Sequence, residues 1–153
     1  MTTETMLHND VAERPASKSI ARHLPTAGRL LMGLLFFVFG LNGFLNFIPP
    51  PSTPMPEGAV AFGGALMMTG YMMPLIKGTE LLVGALLLAN CFVPLALALI
   101  APVIVNIIAY HVFLAPDGMV LTLVILALEV YLAWAYRKAF RPMLAMRATP
   151  DPR

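Results

Sequence analysis

Charged side chains are scarce in this chain. They make up 12% of its 153 residues, while 59% of the residues are hydrophobic. A typical soluble domain has about 25% charged and about 45–50% apolar residues. Both departures, together with a mean hydropathy of +0.80, indicate a membrane protein with a single domain. The lipid bilayer is therefore an expected partner, and nucleic acid is not.

Cysteine and histidine are almost absent, which excludes several kinds of cofactor site. The single cysteine, Cys91, can form neither an internal disulfide nor a CxxC motif, so the chain alone cannot perform dithiol chemistry. Only His111 lies in an apolar segment, because His8 and His23 belong to the polar N-terminal region. The chain therefore lacks the paired membrane histidines of a haem site and the ligand set of a zinc site. We expect no metal site and no covalently bound cofactor.

Four apolar segments are close to the roughly 20 residues that a membrane-spanning helix needs. They are residues 28–48, 74–91, 94–114 and 119–136. None alternates as a barrel strand does, so helices are the expected spanning form. The sequence predicts an all-α protein, a four-transmembrane-helix bundle. The membrane domain is expected at residues 28–138, between a polar tail (1–27) and a basic tail (139–153).

The basic residues indicate how the bundle is oriented. Nine of the ten lysines and arginines lie in the two tails or at their membrane edges. The positive-inside rule then places both termini in the cytoplasm, which requires an even number of crossings. We therefore expect a multi-pass protein whose first and third connections lie on the outer side of the membrane.

A fifth apolar stretch, residues 58–71, lies between the first two spans and is too short to cross a bilayer. Counting it as a crossing would put the two basic tails on opposite sides. We expect an outer interfacial or re-entrant helix that covers the bundle as a lid. Five prolines in residues 49–56 stiffen the loop before it. The alternative is that the stretch extends the second span outward.

Three charged side chains fall inside the apolar segments: Lys77, Glu80 and Glu129. A charge near the bilayer centre costs roughly 2.5–3.5 kcal/mol on insertion scales, so we expect the three to meet inside the bundle. Two carboxyls then face one ammonium. Because burial disfavours the charged form, one carboxyl is expected to be protonated. The alternatives are a purely structural ion pair, or a lysine that extends towards the membrane surface.

Other polar groups accompany these charges. Asn106 and Tyr110 share a face of the third span, and His111 follows near its end. Most of the polar groups lie in the outer half of the membrane, which predicts a pocket that opens outward under the lid. The candidate ligand- or proton-binding residues are Lys77, Glu80, Asn106, His111, Glu129, Asn42 and Tyr110. The asparagines could instead form hydrogen bonds between helices, and His111 could be an interface residue at the end of a helix.

Three stretches of the chain resemble the DoxX family of small bacterial membrane proteins. They are GRLLMGLLFFVFGLNGF at 28–44, PLIKGTELLVGALLL at 74–88 and APVIVNIIAYHVFLAPDG at 101–118. The residues that fit the family pattern are Arg29, Gly33, Phe37, Gly40, Lys77, Glu80, Gly84, Pro102, Asn106 and His111. The resemblance implies a four-helix bundle in the bacterial cytoplasmic membrane. It also implies a redox-associated membrane subunit that works with an oxidoreductase subunit.

Three functions are compatible with these features. The first is a redox-associated subunit that binds a quinone or a small sulfur species in the pocket. The second is a small proton-coupled transporter, although the first span lacks the acidic residue that small multidrug exporters carry there. The third is a membrane assembly or scaffold protein whose polar cluster is structural. A protein partner or a homo-oligomer is expected, and no catalytic residue can be named.

Overall fold

The structure of the chain is a computed structural model that describes residues 16–49 and 52–147, with side chains from Arg22 onward. In chain order the helices are α1 (Ala16–Leu45), α2 (Glu57–Met68), α3 (Met72–Leu88), α4 (Val93–Phe113), α5 (Met119–Ala135) and α6 (Arg137–Phe140). Short 3-10 turns lie at Pro116–Gly118 and Arg141–Leu144. No strand occurs in the described ranges, so the all-α prediction is confirmed. The outermost parts of both expected tails lie outside these ranges.

Several of the helices are long and apolar enough to cross a bilayer. They are Arg22–Leu45, Val93–Phe113 and Pro116–Ala135. Helices α2 and α3 meet the same criterion only as a pair, and the pair is bent by 93° at its short break. The described part of the chain therefore has three candidate spans, or four if the bent pair counts as one. This confirms the expectation of several membrane helices.

The first helix begins at Ala16, well before residue 28, where the first span was expected to begin. The added residues include alanine, lysine, arginine and leucine, which are good helix formers. Their polarity kept them out of the apolar segment, so the hydropathy pattern located the apolar part of α1 but not its N-terminus. Pro25 lies inside this extension without ending the helix.

A tight corner separates α2 from α3. The Thr69 hydroxyl donates to the Leu66 carbonyl at 2.7 Å and accepts a hydrogen bond from the Met72 amide at 3.0 Å. Gly70 follows with φ +74°, a left-handed conformation that glycine adopts without steric cost. The corner directs α2 away from the α3 axis, so α2 crosses one end of the bundle. We call this the lid end.

Helices α1, α3, α4 and α5 close into a bundle, because α1 and α4 each contact both α3 and α5. Glycines allow α1 and α3 to approach closely. A Cβ on Gly40 would lie 2.5 Å from the Leu81 backbone nitrogen, and a Cβ on Gly84 would overlap the Phe37 backbone. Small residues are the usual means of close helix contact in membranes. The buried core includes Met32, Leu87, Leu97, Ile100 and Leu132.

A buried arginine holds the other end of α3. Arg29 of α1 is 7% exposed, and its Nη1 donates to the carbonyls of Leu87 and Leu88. These carbonyls lie in the last turn of α3, where a helix carries partial negative charge. The positive guanidinium therefore satisfies the helix terminus, and it fixes α1 and α3 far from the lid end.

Candidate functional site

An ion pair lies on α3 near the lid end of the bundle. Lys77 Nζ is 2.8 Å from Glu80 Oε2, and the two side chains are 24% and 5% exposed. The methylene carbons of Lys77 run along Gly43 of α1, where any Cβ would overlap them. Gly43 therefore leaves the space in which the lysine reaches its partner. Two of the three predicted membrane charges do meet inside the bundle.

The ion pair borders a cavity of about 470 Å³ to which all five helices from α1 to α5 contribute. Its walls are mainly apolar and include the side chains of Leu35, Phe36, Phe39, Met72, Met73, Ile76, Ile107 and Ile125. Its polar lining is Lys77, Glu80, Asn106, Tyr110, His111 and Thr122. A mainly apolar cavity with a few convergent polar groups is typical of small-molecule sites, and this volume is within their usual range.

Three candidate residues reach this cavity from α4. The Tyr110 ring lies 5.8 Å from the Phe62 ring of α2 and 5.1 Å from the His111 ring, which it meets edge-on. His111 Nδ1 lies 2.7 Å from the Ala115 carbonyl oxygen. Because a carbonyl oxygen only accepts, Nδ1 donates, and Nε2 of the neutral ring is left as an acceptor. Asn106 lines the same cavity, although His111 and Asn106 are about 140° apart on an ideal helix.

The turn between α4 and α5 completes the wall beside His111. The imidazole lies against Gly118, where any Cβ would overlap it. The Thr122 hydroxyl donates to the Gly118 carbonyl at 3.1 Å, and Thr122 is buried at the cavity. Sequence reasoning missed Thr122. The sequence feature that could have identified Thr122 is that it is the single threonine in an almost wholly apolar helix.

Two candidate residues lie outside this cavity. Asn42 Oδ1 accepts a hydrogen bond from the Ile48 amide at 2.7 Å, which fixes the chain where it leaves α1. Glu129 lies one helical turn beyond Ile125, on the side away from the lid end. Its Oε2 is buried and has no hydrogen-bond partner within the described residues. The structure thus joins Lys77 to Glu80 alone and brings five of the seven candidates to one cavity.

The cavity can hold an uncharged amphipathic molecule. Its walls suit an apolar body, while the Lys77 ammonium and the Asn106 amide can donate to carbonyl oxygens. Glu80 and His111 Nε2 can accept from hydroxyls. No group of three metal-binding side chains occurs among residues 16–49 and 52–147. Comparison with protein-family models, curated proteins and solved structures finds no match to this chain.

Proposed function

We propose that the chain is a DoxX-like protein of the bacterial cytoplasmic membrane with four spans and both termini in the cytoplasm. In this arrangement α1, α3, α4 and α5 cross the bilayer, and α2 is a re-entrant or interfacial lid on the outer face. The 93° bend between α2 and α3 supports the lid. The concentration of basic residues in the two tails supports the orientation.

The proposed function is the binding of a quinone in the cavity at the lid end. The observation that carries it is the Lys77–Glu80 ion pair on the wall of a mainly apolar cavity of about 470 Å³. A quinone presents two carbonyl acceptors on an apolar ring, and the quinol presents two donors. The cavity offers both donors and acceptors. A small sulfur species would contact the ammonium but leave most of the apolar wall unfilled, so the quinone is favoured.

The electrons for quinone reduction come from elsewhere in this proposal, because the chain carries no recognisable redox motif. A quinone takes up two electrons and two protons to become a quinol. A partner oxidoreductase subunit supplies the electrons, and the chain holds the quinone head between donors and acceptors. Glu80 is suited to pass a proton, since it is almost fully buried and already shares a hydrogen bond with Lys77.

A structural role as an assembly or scaffold protein is the second candidate. The observation that favours it is that Lys77 and Glu80 satisfy each other directly, as a purely structural pair does. A transporter is less favoured, because the described part of α1 carries no acidic residue. In both of these roles, quinone affinity would not depend on Glu80.

The test is equilibrium binding of a short-chain quinone to the purified protein in lipid nanodiscs. Calorimetry measures the dissociation constant. Glu80→Gln keeps the shape of the side chain but removes its charge, and we expect its dissociation constant to rise about tenfold. Glu129→Gln is the matched variant, since it makes the same change outside the cavity, and we expect no effect. Equal affinities in all three proteins would reject the site, and an absence of binding in all three would reject the function.

A further inference from the structure

A second, smaller cavity of about 200 Å³ lies beside the first, between α2 and α4. It is lined by Phe62, Asn106, Ala109, Tyr110, Phe113 and Leu114. Ala109 is exposed and Phe113 is 80% exposed, so this groove opens on the outer surface of the bundle. In a bilayer that surface faces lipid. We call this cavity the side groove.

The side groove adjoins the main cavity. Phe62, Asn106 and Tyr110 line both of them. The Phe62 and Tyr110 rings, whose centroids are 5.8 Å apart, form the partition between the two spaces. These are side chains rather than backbone, and α2 itself leaves open space around Gly63 and Gly64, where an added Cβ would meet nothing within 4 Å. Because the partition consists of two side chains, a change in their rotamers would join the two spaces.

Asn106 is a polar group at the junction of the two spaces. Asn106 is exposed, and it lies about 10 Å along α4 from the end of that helix at Phe113. An amide in contact with lipid chains has no water to bond with and is costly there. A molecule with a polar head at this point would provide the missing partner. The amide is thus a hydrogen-bonding group at the junction of the groove and the cavity.

We propose that the side groove holds the apolar tail of the quinone whose head occupies the main cavity, and that the quinone arrives laterally from the lipid. This inference rests on the proposed function, because it concerns the same ligand. The three lining residues that the two spaces share argue for one occupant that extends across both. The apolar lining beyond Asn106, formed by Ala109, Phe113 and Leu114, fits a hydrocarbon chain and offers nothing to a second head group.

The experiment compares two quinones with the same head, one without a tail and one with a long isoprenoid tail. Binding of each is measured with the unsubstituted protein and with Ala109→Phe, which fills the groove from an exposed position. The control is Ala127→Phe, an exposed alanine on α5 that lines neither cavity. We expect Ala109→Phe to weaken the tailed quinone about tenfold, the effect of losing burial of about two methylene groups. Binding of the tailless quinone is expected to stay unchanged.

The outcomes separate this inference from the proposed function. If both quinones bind but Ala109→Phe changes both affinities equally, or changes neither, the groove assignment is overturned and the cavity assignment stands. The groove assignment is also overturned if Ala127→Phe weakens the tailed quinone as much as Ala109→Phe does. If neither quinone binds the unsubstituted protein, the proposed function fails and the groove assignment fails with it.

Discussion

Lys77 and Glu80 form an ion pair one helical turn apart on α3, with 2.8 Å between the ammonium nitrogen and a carboxylate oxygen. The glutamate is buried and the lysine is largely so, and both line the main cavity. The pair meets two requirements of a binding site inside a bilayer. It neutralises two charges that would otherwise be costly in a bilayer, and it places a donor and an acceptor on an apolar wall.

Breaking the pair on one side should cost more than removing it. Lys77→Met leaves Glu80 buried and unpaired, and we expect a loss of roughly 3 kcal/mol in unfolding free energy. Lys77→Met with Glu80→Leu removes both charges and should recover most of that loss. Thermal unfolding in detergent micelles measures all three proteins. If the double variant were less stable than Lys77→Met alone, the two side chains would not interact as an ion pair.

Replacing Glu129 by leucine should stabilise the protein. The buried Oε2 of Glu129 has no partner among the described residues, and a buried unsatisfied polar atom costs about 1–3 kcal/mol. Glu129→Leu removes that cost, whereas Glu129→Gln keeps a polar group and should give little gain. The melting temperature of the two variants in micelles provides the comparison. A lower melting temperature for Glu129→Leu would mean that the carboxyl has a partner that stabilises it.

A methyl group at Gly43 should disturb the site. Any Cβ there overlaps the methylenes of Lys77, so Gly43→Ala forces the lysine away from its position beside α1. We expect weaker quinone binding by about threefold to tenfold. Gly63→Ala in the lid is the matched change, since its Cβ meets nothing within 4 Å, and it should leave binding unchanged. It should also stabilise α2 by about 0.5–1 kcal/mol. Equal binding by both variants would argue against Lys77 as a ligand contact.

The lone cysteine reports the orientation of the bundle. Cys91 is exposed in the turn between α3 and α4, which the proposed topology places in the cytoplasm. A membrane-impermeant thiol reagent should therefore label it in inverted vesicles and not in intact cells. Asp117→Cys in a Cys91→Ser background moves the thiol to the opposite turn and should reverse the pattern. Labelling of Cys91 in intact cells would mean that the orientation of the bundle is the opposite of the proposed one.

Much of the fold follows from hydropathy, because burial in a membrane demands long apolar segments. The segment at 94–114 coincides closely with α4 and the segment at 119–136 with α5. The start of α1 at Ala16 could not be predicted from hydropathy, since the residues added before position 28 are largely polar. The corner at Thr69 and Gly70 lies inside the stretch 58–71 that was predicted as one helix, because its angle depends on local hydrogen bonds that hydropathy does not show.

The candidate site could be predicted in part for a similar reason. Charges and amides in apolar helices are conspicuous, so Lys77, Glu80 and Asn106 were easily identified. Whether a given polar group reaches the cavity depends on helix rotation and on loop geometry. The side chain of Asn42 accepts a hydrogen bond from a loop amide instead of lining the cavity. Glu129 lies one helical turn beyond the part of α5 that lines the cavity. The first outcome depends on loop geometry and the second on helix packing, and spacing along one helix determines neither.

Photoaffinity labelling with an azido-quinone tests the central claim most directly. The protein in nanodiscs is irradiated with and without an excess of unmodified quinone, and the modified peptides are mapped by mass spectrometry. We predict adducts on α3 near Lys77 and on α4 near Tyr110 that the competitor suppresses and that Glu80→Gln reduces. Adducts confined to lipid-facing positions such as Val120 and Val130, unaffected by the competitor, would contradict the account.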